Sequence, residues 1–460
     1  MEVNSVENYE EKRIIVLGLA KSGTTIAKIL HRFGADVTVN DAKPEDKCPE
    51  KKELEKLGIK VICGRHPEDL IDENVDLVVK NPGIPYSNIL IEKAVRLNIP
   101  VITEVEIASK ISKAPIIGIT GSNGKTTTTT LIGEIIKKAG LAPIVAGNIG
   151  TVLSEEALLA KEEQVLVAEL SSFQLKGTIN FRPHIAVLLN IYPAHLDYHQ
   201  SIEDYIDSKS KLFCNQNAED YAVLNAECET CINLKSKIKS QIYLFSTKSK
   251  VEKGAYIEGG KIFWVDGTKQ VEILSLSEIF LKGAHLENVL AAIVATRLYG
   301  VDFEAIRYVL RNFKGVEHRL EYVLTTNNNI IFYNDSKATN PQATITALSA
   351  FEQSVILIAG GLDRGISFEE LIEPFKKGVK FLITFGQTAE KLKEIGRIAG
   401  IDQCFVVDNV NEAVKSAYSL ANNGDIVLLS PACASWDMFT SFEERGRMFK
   451  EAVHKYKNGG

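Results

Sequence analysis

Apolar runs of strand length recur along the chain, each followed by a turn and a stretch with helical spacing. The first is Arg13-Ile-Ile-Val-Leu17, and runs at 35–40, 75–79 and 99–103 continue the series. Continuous apolar runs mark strands buried on both faces, and their alternation with helices predicts a parallel sheet covered on both sides. A second series opens at Ala114-Pro-Ile-Ile-Gly-Ile-Thr120 and includes 165–168 and 185–189. Lys and Ser cluster around 234–250, which predicts a surface loop or a solvated helix end, and 256–274 alternates as short antiparallel strands do. Helical runs over 287–299 and 303–312 close that series. A third series has strands at 330–333, 355–358, 381–384 and 426–429. The pattern predicts an α/β protein of three domains, over 1–112, 113–315 and 316–460.

Composition narrows the classes. The 460 residues fit two to four domains at roughly 100–200 residues each. Apolar residues at 45% and charged residues at 24% let each domain bury a core. A net charge of −6 excludes a broad basic surface for nucleic acid, so a nucleotide must be held by local donors. No 18-residue apolar stretch predicts a membrane helix. The acidic start (Glu2, Glu7, Glu10, Glu11) lacks the layout of a signal peptide. Seven cysteines, odd and sparse, fit reduced thiols and a cytoplasmic location. Cys228 and Cys231 form a lone CxxC with no second pair, so zinc is not expected there.

Candidate chemistry begins at Gly118-Ile-Thr-Gly-Ser-Asn-Gly-Lys-Thr126, which follows an apolar strand and precedes a helical run, the context of a phosphate loop. Gly121 and Gly124 would let backbone N–H groups converge on phosphate at a helix N-terminus. Lys125 would reach the β- and γ-phosphates, and Thr126 would ligate Mg²⁺. Gly118 stands seven positions before Lys125, one more than the usual pattern. Glu169 closes the run 165–168, at the strand edge where ligands bind in open α/β sheets, and is a second candidate metal ligand. In Ala194-His195-Leu-Asp197-Tyr-His199, His and Asp could bind a second Mg²⁺ or orient phosphate. Tyr205 and Lys209, four apart, share one face of the following helix.

These blocks together resemble the Mur ligase family, and the resemblance spans about residues 13–450. Gly118 to Thr127 is similar to the family's ATP loop, odd spacing included, which makes Gly118, Thr120, Gly121, Ser122, Asn123, Gly124, Lys125, Thr126 and Thr127 expected ATP contacts. Gly147-Asn148-Ile-Gly150 resembles a substrate loop, and Glu169-Leu-Ser-Ser-Phe-Gln174 the metal-binding strand end. Lys209 matches the lysine the family carries as a carbamate. Arg319, in His318-Arg-Leu-Glu321, and Asp335 imply further nucleotide contacts, and Asn288 anchors a shortened Gly283-Ala-His285-Leu-Glu-Asn288 motif in which the role of His285 is open. Lys337, Thr339, Ser435 and Phe442, with Arg445 and Gly446 following Phe442, resemble the end that receives D-glutamate.

The resemblance implies a Rossmann-like UDP-binding domain, a central P-loop ATPase-like domain with a parallel sheet, and a C-terminal Rossmann-like α/β domain. It implies an ATP-dependent amide ligase of peptidoglycan synthesis that adds D-glutamate to UDP-N-acetylmuramoyl-L-alanine through an acyl phosphate. Lys125, Glu169, His195 and Lys209 would be catalytic. Thr126, Glu169, His195 and Lys209 would hold two Mg²⁺ ions. In the first domain, Gly18-Leu-Ala20-Lys21-Ser22-Gly23 and Asp41 invite a dehydrogenase reading, but Ala20 replaces the middle glycine of the dinucleotide fingerprint. The family instead implies UDP-substrate contacts at Lys21, Ser22, Asp41, Lys43, Gly83, Asn148 and His195. A monomer with small-molecule substrates, no nucleic acid and no membrane insertion is expected. The alternatives are a sibling ligase for another amino acid, a folylpolyglutamate synthase, or a nucleotide-binding regulator without catalysis.

Overall fold

The computed structural model describes residues 9–192, 196–281, 285–351 and 353–457, the side chains of 196 and 197 excepted. Two compact units divide the chain: Met1–Glu278 with Leu286–Arg311, and Ile279–His285 with Asn312–Gly460.

The first unit holds two sheets. One is fully parallel, in the order β3-β2-β1-β4-β5, built from β1 (Arg13–Leu17), β2 (Asp36–Asp41), β3 (Lys60–Cys63), β4 (Leu77–Lys80) and β5 (Val101–Ile102). Apolar clusters cover both faces: Ile14 and Val16 with Ile26 and Leu30 on one, Ile15 and Leu17 with Leu90 and Ile91 on the other. That double burial is why β1 reads as a continuous apolar run.

The second sheet has the order β14-β13-β12-β11-β10-β9-β6-β8-β7. Its strands are β6 (Ile116–Thr120), β7 (Ala142–Gly147), β8 (Gln164–Glu169), β9 (Ile185–Leu188), β10 (Tyr221–Asn225), β11 (Gln241–Ser246), β12 (Lys253–Glu258), β13 (Lys261–Asp266) and β14 (Lys269–Ser275). Pairing is parallel from β7 to β12, and β12-β13-β14 form the expected antiparallel meander. β6 lies between β8 and β9, so the crossovers diverge at its carboxyl end and open a crevice there.

The other unit carries a sheet in the order β15-β16-β20-β17-β18-β19, from β15 (Glu321–Thr325), β16 (Ile331–Asn334), β17 (Val355–Gly360), β18 (Val379–Phe385), β19 (Cys404–Val406) and β20 (Ile426–Leu429). Only β15 pairs antiparallel.

One expectation is corrected. Residues 234–250 are not merely loop or helix end, because β11 lies inside them and pairs in register with β10. Its Tyr243 and Phe245 point into the core while the Lys and Ser residues flank the strand. Among the described residues, no helix is long and apolar enough to cross a membrane.

Candidate active site

The phosphate loop joins β6 to the helix Lys125–Lys138. Gly124, at φ +84, is the residue before the helix, and a Cβ there would collide with the Asn288 side chain. Asn288 accepts a hydrogen bond from Thr128 at 3.3 Å, so the shortened motif reaches the loop's helix. Asn190 anchors the other side: its carbonyl accepts from Ser122 N–H at 3.0 Å and its side chain from Asn123 N–H at 2.9 Å. The Lys125 ammonium folds over the loop and donates to the carbonyls of Gly121 (3.0 Å) and Ser122 (3.1 Å). Thr126 and Thr127 are buried in the first turn.

Glu169 ends β8 beside Ile119 of β6. It is buried; one carboxylate oxygen accepts from Asn148 at 2.9 Å, while Oε2 has no hydrogen-bond partner among the described residues. A buried carboxylate oxygen without a donor is costly unless a cation meets it. Helix Ile202–Ser210 presents Tyr205 and Lys209 to the phosphate loop, as their four-residue spacing predicts. The Tyr205 hydroxyl lies 2.9 Å from Ser122 Oγ. The Lys209 ammonium, 1% exposed, donates to Gly121 O at 2.9 Å and Thr120 Oγ1 at 3.3 Å. Burial, then the nearby charge of Lys125, holds this amine well below its ordinary pKa.

His195 lies outside the described residues. His199, in the same cluster, has Nδ1 2.9 Å from Asp204 Oδ2 and Nε2 2.9 Å from Ser172 Oγ, so both of its nitrogens are engaged by side chains.

At the carboxyl ends of β1, β2 and β4, Lys21 donates to Gly150 O at 3.2 Å and Ser22 to the Asn81 side chain at 2.7 Å. Asp41 spends both oxygens on backbone, accepting from Leu19 N–H and Lys43 N–H at 2.8 Å each, and so shapes the turn after β1. Gly83 lies in the turn closed by Ile84 N–H on Asn81 O at 3.1 Å.

In the other unit, Asp335 follows β16. It accepts from Leu320 N–H at 3.1 Å and Ser430 Oγ at 2.9 Å. Burial pushes its carboxyl up to about 7, with Arg319 and Arg445 pulling weakly the other way. The Lys337 ammonium stands 5.8 Å over the Phe442 ring, and Thr339 N–H donates to the Lys337 carbonyl at 2.9 Å. Ser435 is buried in the loop after β20. Arg445 is fully buried; its guanidinium donates to Ser336 Oγ and to the carbonyls of Ser336, Gly360 and Cys433, tying together the ends of β16, β17 and β20. It therefore braces these loops from inside. His285 is half-buried with its Nδ1 out of solvent; desolvation, then Arg319, lowers its pKa to about 4, so its imidazole is neutral.

The Mur ligase middle-domain profile matches residues 119–296, the glutamate ligase domain profile 318–433 and the MurD-like N-terminal domain profile 12–103. A relative from Geobacillus sp. (strain WCH70), named UDP-N-acetylmuramoylalanine--D-glutamate ligase, is 53% identical over 451 residues, covering 98% of this chain and 99% of its own. The chain belongs to the Mur ligase family. A relative of the same name from Bacillus mycoides (strain KBAB4) is 51% identical over 454 residues, covering 98% of this chain and all of its own. Solved Mur ligases share the fold. The UDP-N-acetylmuramate-alanine ligase MurC of Thermotoga maritima aligns at TM-score 0.55 and 20% identity, over 97% of this chain and 100% of that one. The Thermotoga maritima MurF ligase in complex with ADP aligns at 0.53 and 17%, over 98% and 97%.

Three Mur ligase residues escaped the sequence reading: Asn190, Lys80 and Asn81, each pinning a loop. Asn81 opens Asn81-Pro82-Gly83-Ile84-Pro85, a turn signal that could have found it. Lys80 and Asn190 close apolar runs, and nothing local distinguishes them from solvated strand ends.

Proposed function

We propose that this chain is an ATP-dependent amide ligase that adds D-glutamate to UDP-N-acetylmuramoyl-L-alanine in peptidoglycan precursor synthesis. The observation that carries the reading is the full-length 53% identity to a ligase of that name. The site residues are assigned by motif; for the phosphate loop, Asp41, Glu169 and Asp335 the assignment is supported by their placement at the carboxyl ends of parallel strands.

A carboxylate is a poor acyl donor. In the proposed reaction the alanyl carboxylate oxygen attacks the γ-phosphorus of ATP, releasing ADP and leaving an acyl phosphate. The D-glutamate amine then attacks the acyl carbon, the C–O bond to phosphate breaks, and amide, phosphate and a proton result. Catalysis is chiefly positioning and charge neutralisation. Backbone N–H groups of 121–126 cradle the triphosphate, and Lys125 swings from its own loop's carbonyls to the β- and γ-phosphates. Thr126, Glu169, His195 and a carbamylated Lys209 would hold two magnesium ions, which supply positive charge against the phosphate and acceptor oxygens when bound. The orphaned Glu169 oxygen fits this role. The buried, easily deprotonated Lys209 amine fits carbamylation, since only a neutral amine adds CO₂.

Lys21, Ser22, Asp41, Lys43, Gly83 and Asn148 contact the UDP-linked substrate, with His195 near its acceptor end. Asn288, Arg319 and Asp335 contact ATP. Lys337, Thr339, Ser435 and Phe442 place D-glutamate. The domains run over 1–112, 113–315 and 316–460, in a monomeric cytoplasmic enzyme; unpaired cysteines support that compartment. The test is phosphate release from ATP with UDP-N-acetylmuramoyl-L-alanine and one amino acid at a time. D-Glutamate should support turnover, and L-glutamate, L-alanine and diaminopimelate should not; a preference for any of these three would overturn the assignment.

A further inference from the structure

Lys80 closes β4, level with Leu17 of β1 and hence at the ligand edge of the first sheet. It is only 1% exposed, rare for a lysine. Its three N–H bonds have three acceptors: Asn81 O at 3.3 Å, Pro82 O at 3.0 Å and the Tyr198 hydroxyl at 3.0 Å. Tyr198 in turn directs its hydroxyl at Pro82 O (3.0 Å) and Ile84 O (3.3 Å). The rings of Tyr86 and Tyr198 lie 5.1 and 5.7 Å from the ammonium and add cation–π stabilisation. One buried amine, which burial and then the nearby Lys176 hold down to a pKa of about 7, and one hydroxyl therefore gather the carbonyls of 81, 82 and 84 to one side of the turn. Gly83 is left between them, and a Cβ on it would meet nothing within 4 Å. Its φ is not in the left-handed region. Neither crowding within the chain nor backbone conformation calls for glycine there, and the turn is open on that side for a ligand to approach the backbone closely.

Tyr198 comes from the second sheet's side, in the helix Leu196–His199. Its ring meets Phe173 edge-on at 4.5 Å. Phe173 stacks on His199 at 5.4 Å, and His199 meets Tyr205 at 5.2 Å. Tyr205 reaches the phosphate loop through Ser122. A continuous run of contacts thus joins the 81–84 turn to the loop expected to hold ATP.

We propose that Lys80 and Tyr198 form a positioning latch that fixes the 81–84 turn, where the UDP-linked substrate docks, relative to the segment following β9 that carries the acceptor chemistry. The latch rests on the reading of Gly83 as a substrate contact. Both residues act through the turn and do not touch reacting atoms.

The test uses full-length wild type, Tyr198→Phe, Lys80→Met and the double variant. Affinity for UDP-N-acetylmuramoyl-L-alanine is measured by calorimetry without ATP, alongside KM for each of the three substrates. Tyr198→Phe should weaken nucleotide-sugar binding by up to about tenfold, the limit set by one hydrogen bond's worth of turn ordering that the ligand must then supply. It should leave KM for ATP and D-glutamate within about twofold and lower the melting temperature by no more than about a few degrees. The double variant should bind no worse than Lys80→Met alone, because the two residues act as one unit. Unchanged nucleotide-sugar affinity in Tyr198→Phe, a parallel rise in all three KM values, or additive losses in the double variant would overturn the latch. Wild-type turnover reports separately on the ligase reading, whereas binding by Tyr198→Phe against wild type reports on the latch.

Discussion

Asp335→Asn should make the protein more stable at pH 8 while costing activity. The carboxyl is buried and pushed from its ordinary 3.8 up to about 7, chiefly by desolvation. Between those two values the folded state holds a proton that the unfolded state has released. Stability contributed by this group therefore falls as pH rises through that window, and the whole cost is present above about 7. At about 1.4 kcal/mol per pH unit, the full cost approaches roughly 4 kcal/mol, and about 2–3 kcal/mol of it accrues between pH 5 and pH 7. Asparagine keeps the shape. Its oxygen can accept from Leu320 N–H, its amide can donate to Ser430 Oγ, and Ser430 can turn its proton to Thr344 Oγ1, 3.0 Å away. Paired calorimetric scans should show the variant gaining about 2–3 kcal/mol more at pH 8 than at pH 5. At roughly 2–4 °C per kcal/mol, that is about 4–12 °C in the transition of the unit that contains Asp335. A pH-independent difference between the two proteins, or a loss that grows with pH, would refute the argument from desolvation.

Lys125→Ala should lower turnover by at least about a hundredfold, since a charge on the transferring phosphoryl group contributes several kcal/mol to the barrier; phosphate release measures it, and more than about a tenth of wild-type rate would contradict that role. Lys209→Ala should be inactive and partly rescued by short-chain carboxylic acids, whose carboxylate replaces the carbamate; absence of rescue across the series would remove the carbamate from the mechanism.

The fold was legible where strands are buried on both faces and therefore apolar throughout. β1 and β20 fall where the runs predict them. Four edge strands were not: β3, β7, β15 and β19 each lie at the end of a sheet and are only partly buried, so no fully buried apolar run marks them, and β7 carries Pro143, which an edge tolerates. In the site, the phosphate loop and the Tyr205–Lys209 face were legible because backbone geometry ties function to local spacing. The double engagement of His199 was not, since Ser172 and Asp204 reach it from other segments. Nor was the bracing role of Arg445, whose acceptors lie on loops 12 to 109 residues away in sequence.

The most direct measurement follows oxygen. With UDP-N-acetylmuramoyl-L-alanine labelled with ¹⁸O in its alanyl carboxylate, complete turnover with ATP and D-glutamate should place one labelled oxygen in each phosphate released, because the bridging atom leaves with phosphorus when the amine attacks carbon. Unlabelled phosphate accompanying labelled amide product would contradict activation through an acyl phosphate.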